Sequence, residues 1–160
     1  MLSVITHSGG SPEGVADLLL DLVPGAVSGL IRDVILVESE GDGEALVALC
    51  QDAGARRLPG GLGVAVREAR SDLILLASAR LRLDSFALER LGRAVSALKP
   101  DTADRGLALT GPAFLGIWFP APPRGLVTTR ARLLAFSPGV GLESALARAS
   151  RGTQRLSIAG

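Results

Sequence analysis

The 160-residue sequence has no Tyr and no Asn, and only one Cys, one His and one Trp. Each scarcity closes a class of chemistry. One Cys cannot build a disulfide framework or a Cys-rich zinc site. One His cannot form a multi-histidine metal centre, and no mechanism can rely on a tyrosine hydroxyl or an asparagine amide. Aromatic residues make up 3%, too few for a base-stacking platform, so nucleic acid is not expected as a partner. No apolar run reaches the roughly 18 residues of a membrane-spanning helix. The N-terminus MLSVITHSGG lacks the basic segment and long apolar stretch of a signal peptide. A cytoplasmic protein is expected. At 48% hydrophobic and 21% charged, the chain is not intrinsically disordered. Its length suits one core, hence a single domain over residues 1–160.

The formal net charge of +1 conceals an asymmetry. Residues 1–52 hold nine acids against the single base Arg32, whereas residues 105–160 hold seven Arg and one acid, Glu143. A basic C-terminal third could meet phosphates, anionic lipid or an acidic partner, or pair with the acidic half of a second copy in a homo-oligomer. A merely solvated Arg-rich face is the plainer alternative.

Short apolar runs alternate with helical stripes. Residues 2–6 (LSVIT), 33–37 (DVILV), 72–77 (DLILLA) and 106–110 (GLALT) read as buried strands, with weaker ones at 55–58, 126–129 and 154–158. Ser11-Pro12 starts a helix that Pro24-Gly25 should stop. Further helices are expected over 44–53, 62–70, 130–136 and 142–151, and Asp84 caps one that Pro100 closes. Residues 111–125, rich in Pro and Gly, read as a loop. This order predicts an α/β fold, a mostly parallel sheet with helices on both faces. Ligands of such sheets lie beyond the carboxyl ends of the strands. That directs attention to Thr6, His7 and Ser8, to Glu38 and Ser39, to Ala77, Ser78 and Ala79, and to Thr110-Gly111.

The individual motifs each carry a bland and a functional reading. The glycine loop GGLGVAV (60–66) opens a helix and could receive an anion through Gly61 and Gly63, yet it matches neither standard phosphate-binding pattern. His7 is a general base or ligand-binding group, or a hydrogen-bonded structural histidine. Glu38 is placed to accept ribose or base donors, and with Glu40 and Asp42 it could hold a hard cation, or all three could be solvated. Cys50 reads as core. Trp118 and Phe119 either cover the core or touch an acceptor or membrane surface.

In order and spacing, LSVITHS, DVILVESEGDGEALVALCQDAGAR and DLILLASARLRLDSFALERL resemble the family-2 glycosyltransferases, which have the GT-A fold. GLVTTRARLLAFSPGVG and GLESALARASRGTQRLSI are similar to later elements of that family. The resemblance implies a compact GT-A-type domain and a nucleotide or nucleotide-sugar ligand at Thr6, His7, Ser8, Glu38, Ser39, Gly61 and Gly63. It also exposes departures. The family's D-x-D motif, which holds Mg²⁺ or Mn²⁺ on the donor diphosphate, is Ala77-Ser78-Ala79 here, so no divalent metal is expected at that position. In the region of the catalytic base, Glu143 stands for the first acid and Ser144 for the Asp that should take the proton. Three readings remain open. One is a nucleotide-binding homologue with weak or no transfer. Another is a non-catalytic interaction module. The third is an active, metal-independent transferase in which Arg80 or Arg82 neutralises the diphosphate.

Overall fold

The structure, a computed structural model, describes residues 1–9, 11–98, 106–110, 123–135, 141–149 and 153–157. The expectations for Pro100, Gly111, Trp118, Phe119 and Pro138 lie outside these residues.

The chain forms β1 (Leu2–His7), α1 (Pro12–Val27), β2 (Ile31–Val37), α2 (Glu44–Asp52), β3 (Arg56–Leu58), α3 (Gly61–Glu68), β4 (Leu73–Ala77) and α4 (Ser85–Ala97). There follow β5 (Leu107–Thr110), β6 (Pro123–Thr129), α5 (Arg130–Leu134), α6 (Leu142–Ala149) and β7 (Gln154–Ser157). Seven strands make one sheet in the order β3-β2-β1-β4-β6-β5-β7, parallel except for β6, which runs against both β4 and β5. The expected α/β class and mostly parallel sheet are therefore observed.

Period-two alternation sorts the strand side chains onto two helical layers. Leu2, Val4, Leu75, Ala77, Leu107, Leu109 and Val127 join α1 and α4 through Leu18, Leu22, Leu88 and Leu91. On the opposite face Ile5, Ile35, Ile74, Leu76, Ala108 and Leu126 meet Ala65 and Val66 of α3, Leu133 of α5 and Leu146 of α6. β4 lies in the middle and is buried on both faces, which explains its unbroken apolar run. α2 packs separately, with Leu46 and Cys50 joining Leu36, Val15 and Leu19.

Local signals set most helix starts. Ser11 Oγ accepts from Gly14 N at 3.2 Å, and Asp84 Oδ1 accepts from Ala87 N at 2.7 Å. Two boundaries depart from expectation. α1 runs through Pro24 to Val27. Proline lacks only its own N–H, and the Pro24 carbonyl still accepts from Ser28 N at 3.0 Å. Gly25 then lets Ile31 close against the helix, where a Cβ would stand 2.7 Å from Ile31 Cδ1. β6 begins at Pro123, three residues before the expected extended segment. Proline is tolerated there as the first residue of a strand. No helix of the described residues is long and apolar enough to cross a membrane.

Candidate functional site

The parallel strands β1, β2 and β4 end on the same edge of the sheet, and two adjoining cavities open there. The first, of about 410 Å³, is bounded by His7 after β1, Val37 and Ser39 after β2, the glycine turn and first turn of α3, and Gly141 to Ser144 at the start of α6. The second, of about 440 Å³, is bounded by His7, Ser8 and Ser11, by Ser78, Ala79 and Arg80 after β4, by Pro123 and Arg124 of β6, and by Glu143. His7 and Glu143 border both cavities. His7 Nε2 lies 3.4 Å from Glu143 Oε1, which ties the end of β1 to the first turn of α6. The approach does not meet hydrogen-bond geometry, and it is an ion pair only when the imidazole is protonated.

The glycine turn is shaped by its backbone. Gly60 and Gly61 have φ of +93° and +81°, a region that a side chain would strain. A Cβ at Gly60 would also stand 2.8 Å from Val64 Cγ2. α3 starts without a side-chain cap, so its first amides are left to a ligand or solvent.

The structure gathers His7, Ser39, Gly61, Gly63, Glu143 and Ser144 around the first cavity and His7, Ser8, Ser78, Ala79 and Glu143 around the second. Several sequence-picked residues fall elsewhere. Thr6 is fully buried and lines neither cavity, because alternation along β1 turns it to the same face as Val4. Glu38 also lines neither cavity, and its Oε1 lies 3.2 Å from Arg57 Nη2 on the neighbouring strand. Ala77 is fully buried within the core. Arg82, expected to face a diphosphate, is committed to structure. Its guanidinium pairs with Asp17 at 2.6 Å and donates to the Leu81 carbonyl at 2.9 Å. The acidic loop does not form a cation site either. Asp42 accepts from Ser39 N at 3.0 Å. Among the described residues no group of three His, Cys, Asp or Glu side chains could hold a metal ion. Sequence reasoning missed Arg67 at the first cavity and Arg124 at the second. Arg67 was visible one turn after Gly63, whereas Arg124 was hidden in a segment read as loop.

Cys50 lies under this region, 1% exposed. Burial pushes its thiol pKa up, partly countered by Arg57 and reinforced by Asp42. Because the thiolate is the reactive form, iodoacetamide should modify Cys50 at least about tenfold more slowly in the folded chain than in urea, as followed by mass spectrometry. Equal rates would place the thiol at the surface.

No family model matches the sequence, and the search of curated proteins finds no match. Solved structures do match. Glucosyl-3-phosphoglycerate synthase from Mycobacterium tuberculosis, in complex with Mn²⁺ and uridine-diphosphate-glucose, superposes with a TM-score of 0.72 at 14% identity, over 99% of this chain and 70% of that one. Mannosyl-3-phosphoglycerate synthase from Rubrobacter xylanophilus gives 0.64 at 13% identity, over 99% and 66%. The 4-diphosphocytidyl-2C-methyl-D-erythritol synthase from Anaerococcus prevotii gives 0.61 at 12% identity, over 100% and 89%. At such identities the likeness is one of fold, and the chain has the α/β architecture of these GT-A-like proteins.

Proposed function

We propose that this chain binds a nucleoside diphosphate or nucleotide sugar in the cleft beyond β1, β2 and β4, and that sugar transfer from it is weak or absent. The observation that carries the reading is the pair of adjoining cavities over the carboxyl ends of the parallel strands, in a fold shared with enzymes that handle activated sugars. The first cavity has a size and a partly apolar wall, with Val37, Leu62, Val64 and Leu142, that suit a nucleoside. The second carries guanidinium groups and hydroxyls that suit phosphate oxygens.

The divalent cation that the family resemblance implies does not fit these residues. Ala77, Ser78 and Ala79 bring no carboxylate, and no cluster of metal-ligating side chains gathers among the described residues. In the region of the base, Ser144 cannot hold a proton taken from an acceptor near neutral pH. Glu143 is exposed and turned toward His7. These two departures support the reading of binding without efficient turnover.

The test is a thermal unfolding series with UDP, GDP and CDP, each with Mn²⁺ and with EDTA. At least one nucleotide at about a hundredfold its Kd should raise the melting temperature by several degrees. Gly63→Leu locates the site. A Cβ at Gly63 would have only Arg67 Nη1 nearby, at 3.8 Å, so the variant should fold and fill the first cavity with its side chain. It should abolish the nucleotide shift. No shift with any nucleotide, or a shift that survives this variant, would overturn the reading.

A further inference from the structure

We infer that Arg80 and Arg124 form a metal-independent clamp for a diphosphate in the second cavity, at the place where the related fold would need a carboxylate-bound cation. This deepens the nucleotide-binding reading and rests on it.

The backbone puts the two guanidinium groups there. In the β4/β6 register Ala77 faces Gly125, and Ser78 N donates to the Arg124 carbonyl at 2.9 Å. Arg124 therefore stands beside Ser78, and Arg80 follows two residues later. The D-x-D position is thus flanked by cations instead of carboxylates. Both side chains border the cavity.

Both charges also lack an opposing carboxylate. Arg82 nearby pairs with Asp17, whereas Arg80 and Arg124 have no acidic partner among the described residues. Among the described residues the side chain of Arg124 reaches the Arg80 carbonyl, at 3.4 Å. A third observation points to a ligand. Ser8, 2% exposed, borders the same cavity with a buried hydroxyl that has no hydrogen-bond partner. An orphaned buried hydroxyl is costly, and a phosphate oxygen would satisfy it. Among the described residues Glu143 is the one acid on this rim, and it sits against His7. The lining therefore stays net positive even with His7 neutral. Two forked donors and a hydroxyl suit the several oxygens of a diphosphate better than a single carboxylate.

Calorimetric titration in EDTA tests this with UDP, UMP and inorganic pyrophosphate as probes. The wild type should bind UDP with a Kd that changes less than about twofold when Mn²⁺ replaces EDTA. The Arg80→Gln/Arg124→Gln variant should weaken UDP and pyrophosphate by about tenfold or more and erase the preference for UDP over UMP. Arg124→Lys, which keeps the charge but not the fork, should fall between. Both arginines are exposed, so circular dichroism should show the variants folded. UDP binding that requires Mn²⁺, or that the double variant leaves unchanged, overturns the clamp while the nucleotide reading stands. If no nucleotide binds, that reading fails, and pyrophosphate alone decides the clamp. Loss of pyrophosphate binding in the double variant then supports it, and no pyrophosphate binding to the wild type overturns it.

Discussion

Ala77→Asp should lower the unfolding free energy by about 3–5 kcal/mol, the cost of an uncompensated charge in the interior. With a urea slope of about 2 kcal/mol per molar, the midpoint should fall by roughly 2 M. Ala77 is the last residue of the central strand and is fully buried, in the same core cluster as Leu75, Leu81 and Leu83. Its alternation partner Ala79 is 8% exposed, and α1 closes over it. A Cβ on Gly14 would stand 3.1 Å from the Ala79 carbonyl and 3.4 Å from its Cβ. Ser78, between them, borders the second cavity beside Arg124. Ser78→Asp should therefore cost less than Ala77→Asp, because the new carboxylate borders the cavity and can keep the Arg80 N–H that Ser78 Oγ now accepts from at 3.4 Å. The contrast has a functional meaning. The alanines at this strand end are packing residues, so placing carboxylates at both would require repacking α1 as well as changing two side chains. An Ala77→Asp variant within 1 kcal/mol of the parent would show that the strand end is looser than the structure has it.

The parts of this fold that local chemistry dictates were readable from the chain. DLILLA announced the central strand because both its faces are buried, and Asp84 announced α4 because its carboxylate caps a free amide. The site was readable only as a set of strand ends. Which side chain enters the cleft is decided by period-two alternation and by what lies across the sheet. Alternation sends His7 to the cleft and Thr6 to the α1 face, and it could have been applied from Val4 onward. The partners of Glu38 and Arg82 could not be foreseen. Arg57 reaches Glu38 because β3 pairs with β2, and Asp17 reaches Arg82 because α1 lies under the turn after β4. Arg124 shows the limit most clearly. Its flanking prolines and glycine argue for a loop, and only long-range antiparallel pairing with β4 and β5 makes it a strand residue.

The same dependence on distant partners makes Asp33 the residue whose loss should reach from stability into binding. Its side chain is 6% exposed and accepts from Arg56 Nη2 at 2.7 Å and from the hydroxyl of Ser3. Ser3 Oγ in turn accepts from Ser71 N at 2.9 Å, and Arg56 also donates to the Glu68 carbonyl at 2.8 Å. One carboxylate on β2 thus ties together β1, β3, the segment before β4 and the C-terminal end of α3. Asp33→Ala removes the acceptor and leaves an Arg56 side chain that is 30% exposed, so that its charge is partly rehydrated. The expected loss is about 2–4 kcal/mol, below that of a fully buried pair. Arg56→Ala in the same background should cost less than it does alone, since the unpaired charge is then gone, and a double-mutant cycle measures that difference. Because α3 carries the glycine wall of the first cavity, Asp33→Ala should also reduce the nucleotide-induced rise in melting temperature. Additive losses in the cycle, or a variant within 1 kcal/mol of the parent, would show that this network does not hold α3 in place.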